Sequence, residues 1–187
     1  MAARRRRNPI SAKEAIQRTA ADPELRGPAL ATFREHIVEA DAVVEAQLDR
    51  VRAATSEVSA IRDVKLMLPT MSTALLTINA IASLGVDVTT PLETFDRLAP
   101  DAAPVRDVLT HQAEYGIGGG WWQDGRLQPT EVTTRWSASA GTAIVMTNPD
   151  VEIDIGVAAP GFGELCKSVV RAIDLDPSAT LTNRLSE

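Results

Sequence analysis

Apolar residues recur at steps of three and four along the first half of the chain. Leu30, Phe33, Ile37, Ala40, Val44, Leu48, Val51 and Ala54 line one face, and Arg34, Glu35, Glu39, Asp41, Glu45, Asp49 and Arg52 fill the other. That period predicts one long helix from Pro28 to about Thr55, an arm of a helical hairpin or bundle. Ahead of it, Ser11-Ala12-Lys13-Glu14 has capping-box spacing and opens a short helix to about Ala21, with Asp22-Pro23 and Gly27-Pro28 as punctuation. A second apolar set, Ile61, Val64, Leu68, Leu75, Ile78, Ile81 and Leu84, predicts a helix from Glu57 to Leu84 that Pro69 kinks or interrupts. Met71–Leu84 carries no charge, so it is expected in the middle of the core, with Gly85 as its C-cap.

Thr90-Pro91 begins a short helix over Leu92–Leu98, and Pro104 sits in the first turn of another that ends at Tyr115-Gly116. The run Gly116-Ile117-Gly118-Gly119-Gly120 then breaks helical continuity. Beyond it the period changes to two. Val132 to Trp136, Thr142 to Thr147 and Val151 to Val157 read as strands, Asn148-Pro149-Asp150 as a turn, and Gly163 to Ile173 as a final helix before a polar tail from Asp176-Pro177. The fold class expected is α+β, mainly α: a helical bundle, then a small antiparallel β meander and a C-terminal helix. Residues 1–10 read as a basic arm, 11–118 as the helical domain, and 119–187 as a β-rich element with a terminal helix.

Composition narrows this picture. Aromatic residues make up only 4% of the 187, so the core is built from Ala, Val, Leu and Ile, which favours helices. The net charge of −6 argues against a general nucleic-acid binder, although not against an enzyme touching a few phosphates. One cysteine, Cys166, excludes an intrachain disulfide and a cysteine zinc site, and suits a reducing, cytoplasmic setting. No window approaches 18 uninterrupted apolar residues, so no membrane span is expected, and the arginines at 4–7 are not followed by the apolar stretch of a secretory leader.

Two histidines limit the candidates for proton transfer near neutral pH. His36 stands among Arg34, Glu35 and Glu39 and reads as a solvated edge residue. His111 differs. On a helical wheel Val105, Val108, Leu109, Gln112 and Tyr115 form one stripe, while Arg106, Asp107, Thr110, His111 and Glu114 take the opposite face. Arg106 also falls in a first turn, where the helix dipole disfavours a cation by several tenths of a kcal/mol, a local cost consistent with a functional demand.

Arg106, a polar Asp107, three more residues and His111 resemble the R-x4-H motif of the HEPN superfamily, over roughly residues 28–118. The resemblance implies a HEPN-like helical bundle with its motif on a late helix. It also implies a metal-independent ribonuclease acting as a homodimer, of the kind found in toxin–antitoxin and antiviral defence systems, with an antitoxin or other regulatory protein as partner. RNA is the substrate it implies; no cofactor and no metal is called for. His111 would act as general base on an RNA 2′-hydroxyl, Arg106 would neutralise charge on the phosphoryl oxygens, and Asp107 would orient the pair. Arg106 and His111 stand about 140° apart on one helix, so a two-fold partner would complete the site. One toxin subfamily carries a modified tyrosine two residues after the histidine; that position is Ala113 here, and Tyr115 comes later.

Other features have plainer readings. The glycine run lacks the Gly-Lys-Ser/Thr ending of a phosphate loop, and Trp121-Trp122 anchors an appended element or stacks bases. Arg4–Arg7 is a solvated arm or a phosphate contact, and Cys166, near Leu165 and Val169, a buried hydrophobe. Two non-enzymatic readings stand beside the ribonuclease: a helical protein-interaction module, and a structural subunit of a larger assembly.

Overall fold

A computed structural model describes residues 11–100, 132–137, 139–147 and 151–178. Among them are five helices and one three-stranded sheet, an α+β and mainly α fold. α1 spans Ala12–Ala21. The predicted capping box is present: the Glu14 amide donates to Ser11 Oγ at 3.2 Å, and the Ser11 amide to Glu14 Oε2 at 2.9 Å.

α2 (Pro23–Arg52) and α3 (Glu57–Ser83) form the central hairpin. Leu30, Ile37, Ala40, Val44, Leu48 and Val51 are buried as their spacing requires, and Phe33 and Ala54 are partly buried against them. α2 begins five residues earlier than expected. Asp22 Oδ1 accepts from the Glu24 amide at 3.0 Å and Pro23 takes the first turn, so this cap, rather than Gly27-Pro28, sets the start. Gly27 has no Cβ to clash with the following proline ring, and the helix runs through. It also runs through Pro69 in α3, one assigned helix over 27 residues.

Met71–Leu84 is not in the middle of the core. Met71, Ala74, Ile78 and Ile81 are buried, while Leu76 on the other side is 58% exposed. α3 is long and apolar enough to cross a membrane by length and composition, yet it packs one face on α2 as a core helix does. Its C-terminus is a Schellman turn: Gly85 at φ +89° lets the Val86 amide reach the Ile81 carbonyl at 3.4 Å and the Gly85 amide reach Ala82 at 2.9 Å. α4 (Thr89–Leu98) follows, starting three residues before the expected Leu92, with Asp87 Oδ1 accepting from the Thr89 amide at 3.1 Å.

β1 (Val132–Ser137), β2 (Thr142–Thr147) and β3 (Val151–Asp154) form an antiparallel meander in the order β1-β2-β3. α5 (Ile155–Asp174) follows β3 directly. The third strand therefore stops short of Val157, and the last helix starts eight residues before the expected Gly163. Asp154 explains both: its Oδ1 accepts from the Gly156 amide at 2.7 Å and from the Thr142 hydroxyl at 3.0 Å, which caps the helix and ties it to β2. α5 contains Gly156, Pro160, Gly161 and Gly163 and runs through all four. In the fold the glycines permit close packing: a Cβ at Gly156 would lie 2.7 Å from Thr142 Oγ1, and one at Gly163 would lie 3.1 Å from Asp41 Oδ1. α5 packs on α2 and α4, and one buried cluster joins Leu30 and Ile78 of the hairpin to Val145 and Phe162.

Candidate functional site

Arg106, Asp107 and His111 lie outside the described residues, as do the helix expected over 104–115, the Gly116–Gly120 run, Trp121-Trp122, the turn at 148–150 and Arg4–Arg7. What is described is the body from which the chain departs toward the motif. α4 is seated by Phe95, 1% exposed, whose ring meets Phe162 of α5 edge-on at 6.2 Å and 71°. Gly161 permits a close approach beside them, since a Cβ there would lie 3.1 Å from Leu98 Cδ1. Between the two helices opens a cleft of about 530 Å³, with Phe95 and Leu165 buried in its lining and Thr94, Leu98, Val157 and Glu164 exposed. Leu98 is the last residue of α4, so the chain leaves the helix at the edge of this cleft on its way to Arg106.

A second groove, about 420 Å³, runs between α2 and α3, lined by His36, Glu39, Val43, Pro69, Thr73 and Thr77 among others. His36 is exposed there and makes no hydrogen bond among the described residues. That exposure accords with the edge position read from its neighbours.

Along the α2–α5 contact lie several titratable groups. Burial pushes the Asp41 carboxyl up; Lys167 opposes the shift and Glu45 and Glu164 add to it. Lys167 is held by Glu164 at 3.0 Å. The Cys166 thiol is buried and pushed up, first by burial and then by Asp41, so it is an inert core group rather than a nucleophile. Among the described residues no three His, Cys, Asp or Glu side chains converge in a metal-ligating group.

Two features carry more than their sequence neighbours suggest. Arg26 of α2 donates through Nε to the Leu84 carbonyl at 2.8 Å, through Nη1 to Asp176 Oδ1 at 2.8 Å, and through Nη2 to Asp176 Oδ2 at 2.6 Å; Ser178 Oγ also accepts from it. This bidentate clamp joins the start of α2, the end of α3 and the chain after α5. The other feature is a set of buried polar atoms, Asp63 Oδ1, Gln47 Oε1 and Trp136 Nε1, with no hydrogen-bond partner among the described residues. Arg62 Nε stands 4.0 Å from Asp63 Oδ1, at the limit of an ion pair. No local sequence signal could find the clamp, since the partners of Arg26 lie 58 and 150 residues away.

Comparison with family models, with curated proteins and with solved structures found no match to this chain.

Proposed function

We propose that the chain is a HEPN-like, metal-independent endoribonuclease of a defence or toxin-type system, acting in the cytoplasm as a homodimer under the control of an antitoxin or other regulatory protein. The observation that carries this reading is the motif itself: Arg106 and His111 five residues apart, with Asp107 directly after the arginine. The mainly helical body that precedes the motif supports it, because helical bundles are what the resemblance calls for. In the reaction, the His111 imidazole takes the proton of an RNA 2′-hydroxyl as that oxygen bonds to the adjacent phosphorus. The P–O5′ bond breaks, and Arg106 balances the negative charge that develops on the phosphoryl oxygens. Asp107 orients the pair.

Purified chain incubated with RNA in EDTA is expected to cleave it. Arg106→Ala and His111→Ala are each expected to abolish cleavage while leaving thermal unfolding nearly unchanged. Cleavage by His111→Ala at the wild-type rate removes the catalytic claim. One observation favours a second reading, a non-catalytic interaction module: the exposed face of α3 carries no charge over most of its length. On that reading the chain shows no nuclease activity.

A further inference from the structure

Charge is shared unevenly along the seam between α2 and α5. Toward one end Arg34 pairs with Asp174 at 2.7 Å and Arg26 with Asp176 at 2.6 Å, one cation to each carboxylate. Nearer the middle, Asp41 and Glu45 of α2 meet Glu164 and Lys167 of α5, three carboxylates to one ammonium. Lys167 is already bonded to Glu164 at 3.0 Å, and those two residues and Glu45 are exposed. Asp41 is half-buried, and it joins no hydrogen bond or ion pair among the described residues.

Gly163 brings the backbone of α5 down on this side chain. It is buried, and a Cβ in its place would stand 3.1 Å from Asp41 Oδ1. An ionised carboxylate covered on one side by a helix and bonded to no donor gives up hydration that nothing replaces. Glu45, one turn along α2, adds like-charge repulsion. Burial, with Glu45 and Glu164, therefore pushes the Asp41 carboxyl up from its ordinary 3.8, against the pull of Lys167. In the unfolded chain the group keeps its ordinary value, so the folded chain binds this proton more tightly. The stabilisation is complete below 3.8 and is lost as pH rises through the raised value.

We infer that Asp41 is a proton-operated latch on α5: neutral, it lets the helix seat on α2, and ionised, it favours the helix lifting at Gly163 to readmit water. The other carboxylates named along this seam are not placed to do this. Asp174 and Asp176 have their own cations, and Glu45 and Glu164 keep their hydration at the surface. The lift reaches beyond the seam. Phe162, next to Gly163, meets the Phe95 ring at 6.2 Å, so loosening α5 here also loosens the α4–α5 cleft that Phe95 lines. The latch does not rest on the ribonuclease reading, because its readout is the exposure of α5 rather than cleavage.

The chain carries its own reporter. Cys166 is its one cysteine, buried on α5 close to Gly163, so a thiol reagent reaches it when the helix lifts. The full chain is labelled with 4,4′-dithiodipyridine between about pH 4 and pH 7. Each rate is divided by that of the urea-unfolded chain at the same pH, which removes the ionisation of the thiol itself. In the parent this ratio is expected to rise several-fold as pH rises, and in Asp41→Asn to stay low and flat. Two changes at exposed positions keep the test open if that variant folds poorly. Glu45→Gln is expected to lower the ratio at neutral pH, and Lys167→Gln, which removes the one cation acting on Asp41, to raise it. A parent ratio that does not change with pH overturns the inference. So does an Asp41→Asn ratio that climbs as steeply as the parent's, or a Lys167→Gln ratio no higher than the parent's at neutral pH.

Discussion

The α2–α3 hairpin and the β3–α5 segment are held in contrasting ways. The hairpin is secured by many interchangeable contacts: a row of Leu, Ile, Val, Ala and Met at helical spacing, each worth about 1.5–3 kcal/mol when a large side chain is fully buried. The β3–α5 segment depends on few and particular ones. Asp154 ends a strand, caps a helix and bonds to Thr142, while Gly156, Gly161 and Gly163 allow neighbours to approach to distances that a Cβ would block. The first mode tolerates substitution of like for like; the second does not.

The largest test acts where the two regions meet. Phe162 is fully buried against Phe95, and it belongs to the same cluster as the hairpin. Phe162→Ala is expected to cost about 3–5 kcal/mol, read from the urea midpoint. If the regions are one cooperative unit, fluorescence and far-UV circular dichroism shift together. Separate transitions would show that α5 melts away from the hairpin.

That difference in mode also governs what could be read from sequence. The apolar rows at Leu30–Val51 and Val64–Ile81 were legible because helical periodicity is a direct image of one-sided burial. The Ser11 box and the Gly85 turn were legible for a related reason, since both motifs close within a few residues. The starts of α2 and α5 were not. At α2 the proline at 28 outweighed the Asp22 cap; at α5 a period-two run continued to Val157 although Asp154 had already turned the backbone into a helix. Nothing near Gly156 in sequence announces Thr142, fourteen residues away. Met71–Leu84 misled in another way. Absence of charge says that a segment can be buried, and not which of its faces is. The Arg106, Asp107 and His111 motif is a reading of sequence alone, drawn from residues close in the chain, whereas the Arg26 clamp unites positions 150 residues apart.

The next test sharpens the comparison within the β3–α5 segment. Asp154→Ala removes both the cap and the Thr142 contact and is expected to cost about 1–2 kcal/mol. Gly156→Ala pushes a methyl to 2.7 Å from Thr142 Oγ1, and is expected to cost about 1–3 kcal/mol by overpacking. In the hairpin, Met67→Leu alters a fully buried side chain as well, yet nearly conserves volume and is expected to cost under about 1.5 kcal/mol. Equal losses in Gly156→Ala and Met67→Leu, measured by chemical denaturation, would break the distinction between distributed and particular contacts.

The smallest effect separates the clamp from both regions. Burial raises the Asp176 carboxyl, but the hydrogen bonds from Arg26 and Ser178 outweigh it and hold the group well down, at about 2. A carboxyl depressed in the folded state favours folding whenever it is ionised. Its contribution is complete above the ordinary value of 3.8 and fades as pH falls through about 2. Asp176→Asn removes this dependence, so stability measured between pH 5 and pH 2 should fall less steeply in the variant than in the parent, while the difference between them at neutral pH stays constant. Parallel acid limbs would show that the Arg26–Asp176 pair does not persist in solution. The start of α2 and the end of α3 would then be joined by the Arg26 bond to the Leu84 carbonyl and the hairpin's apolar face, without the chain after α5.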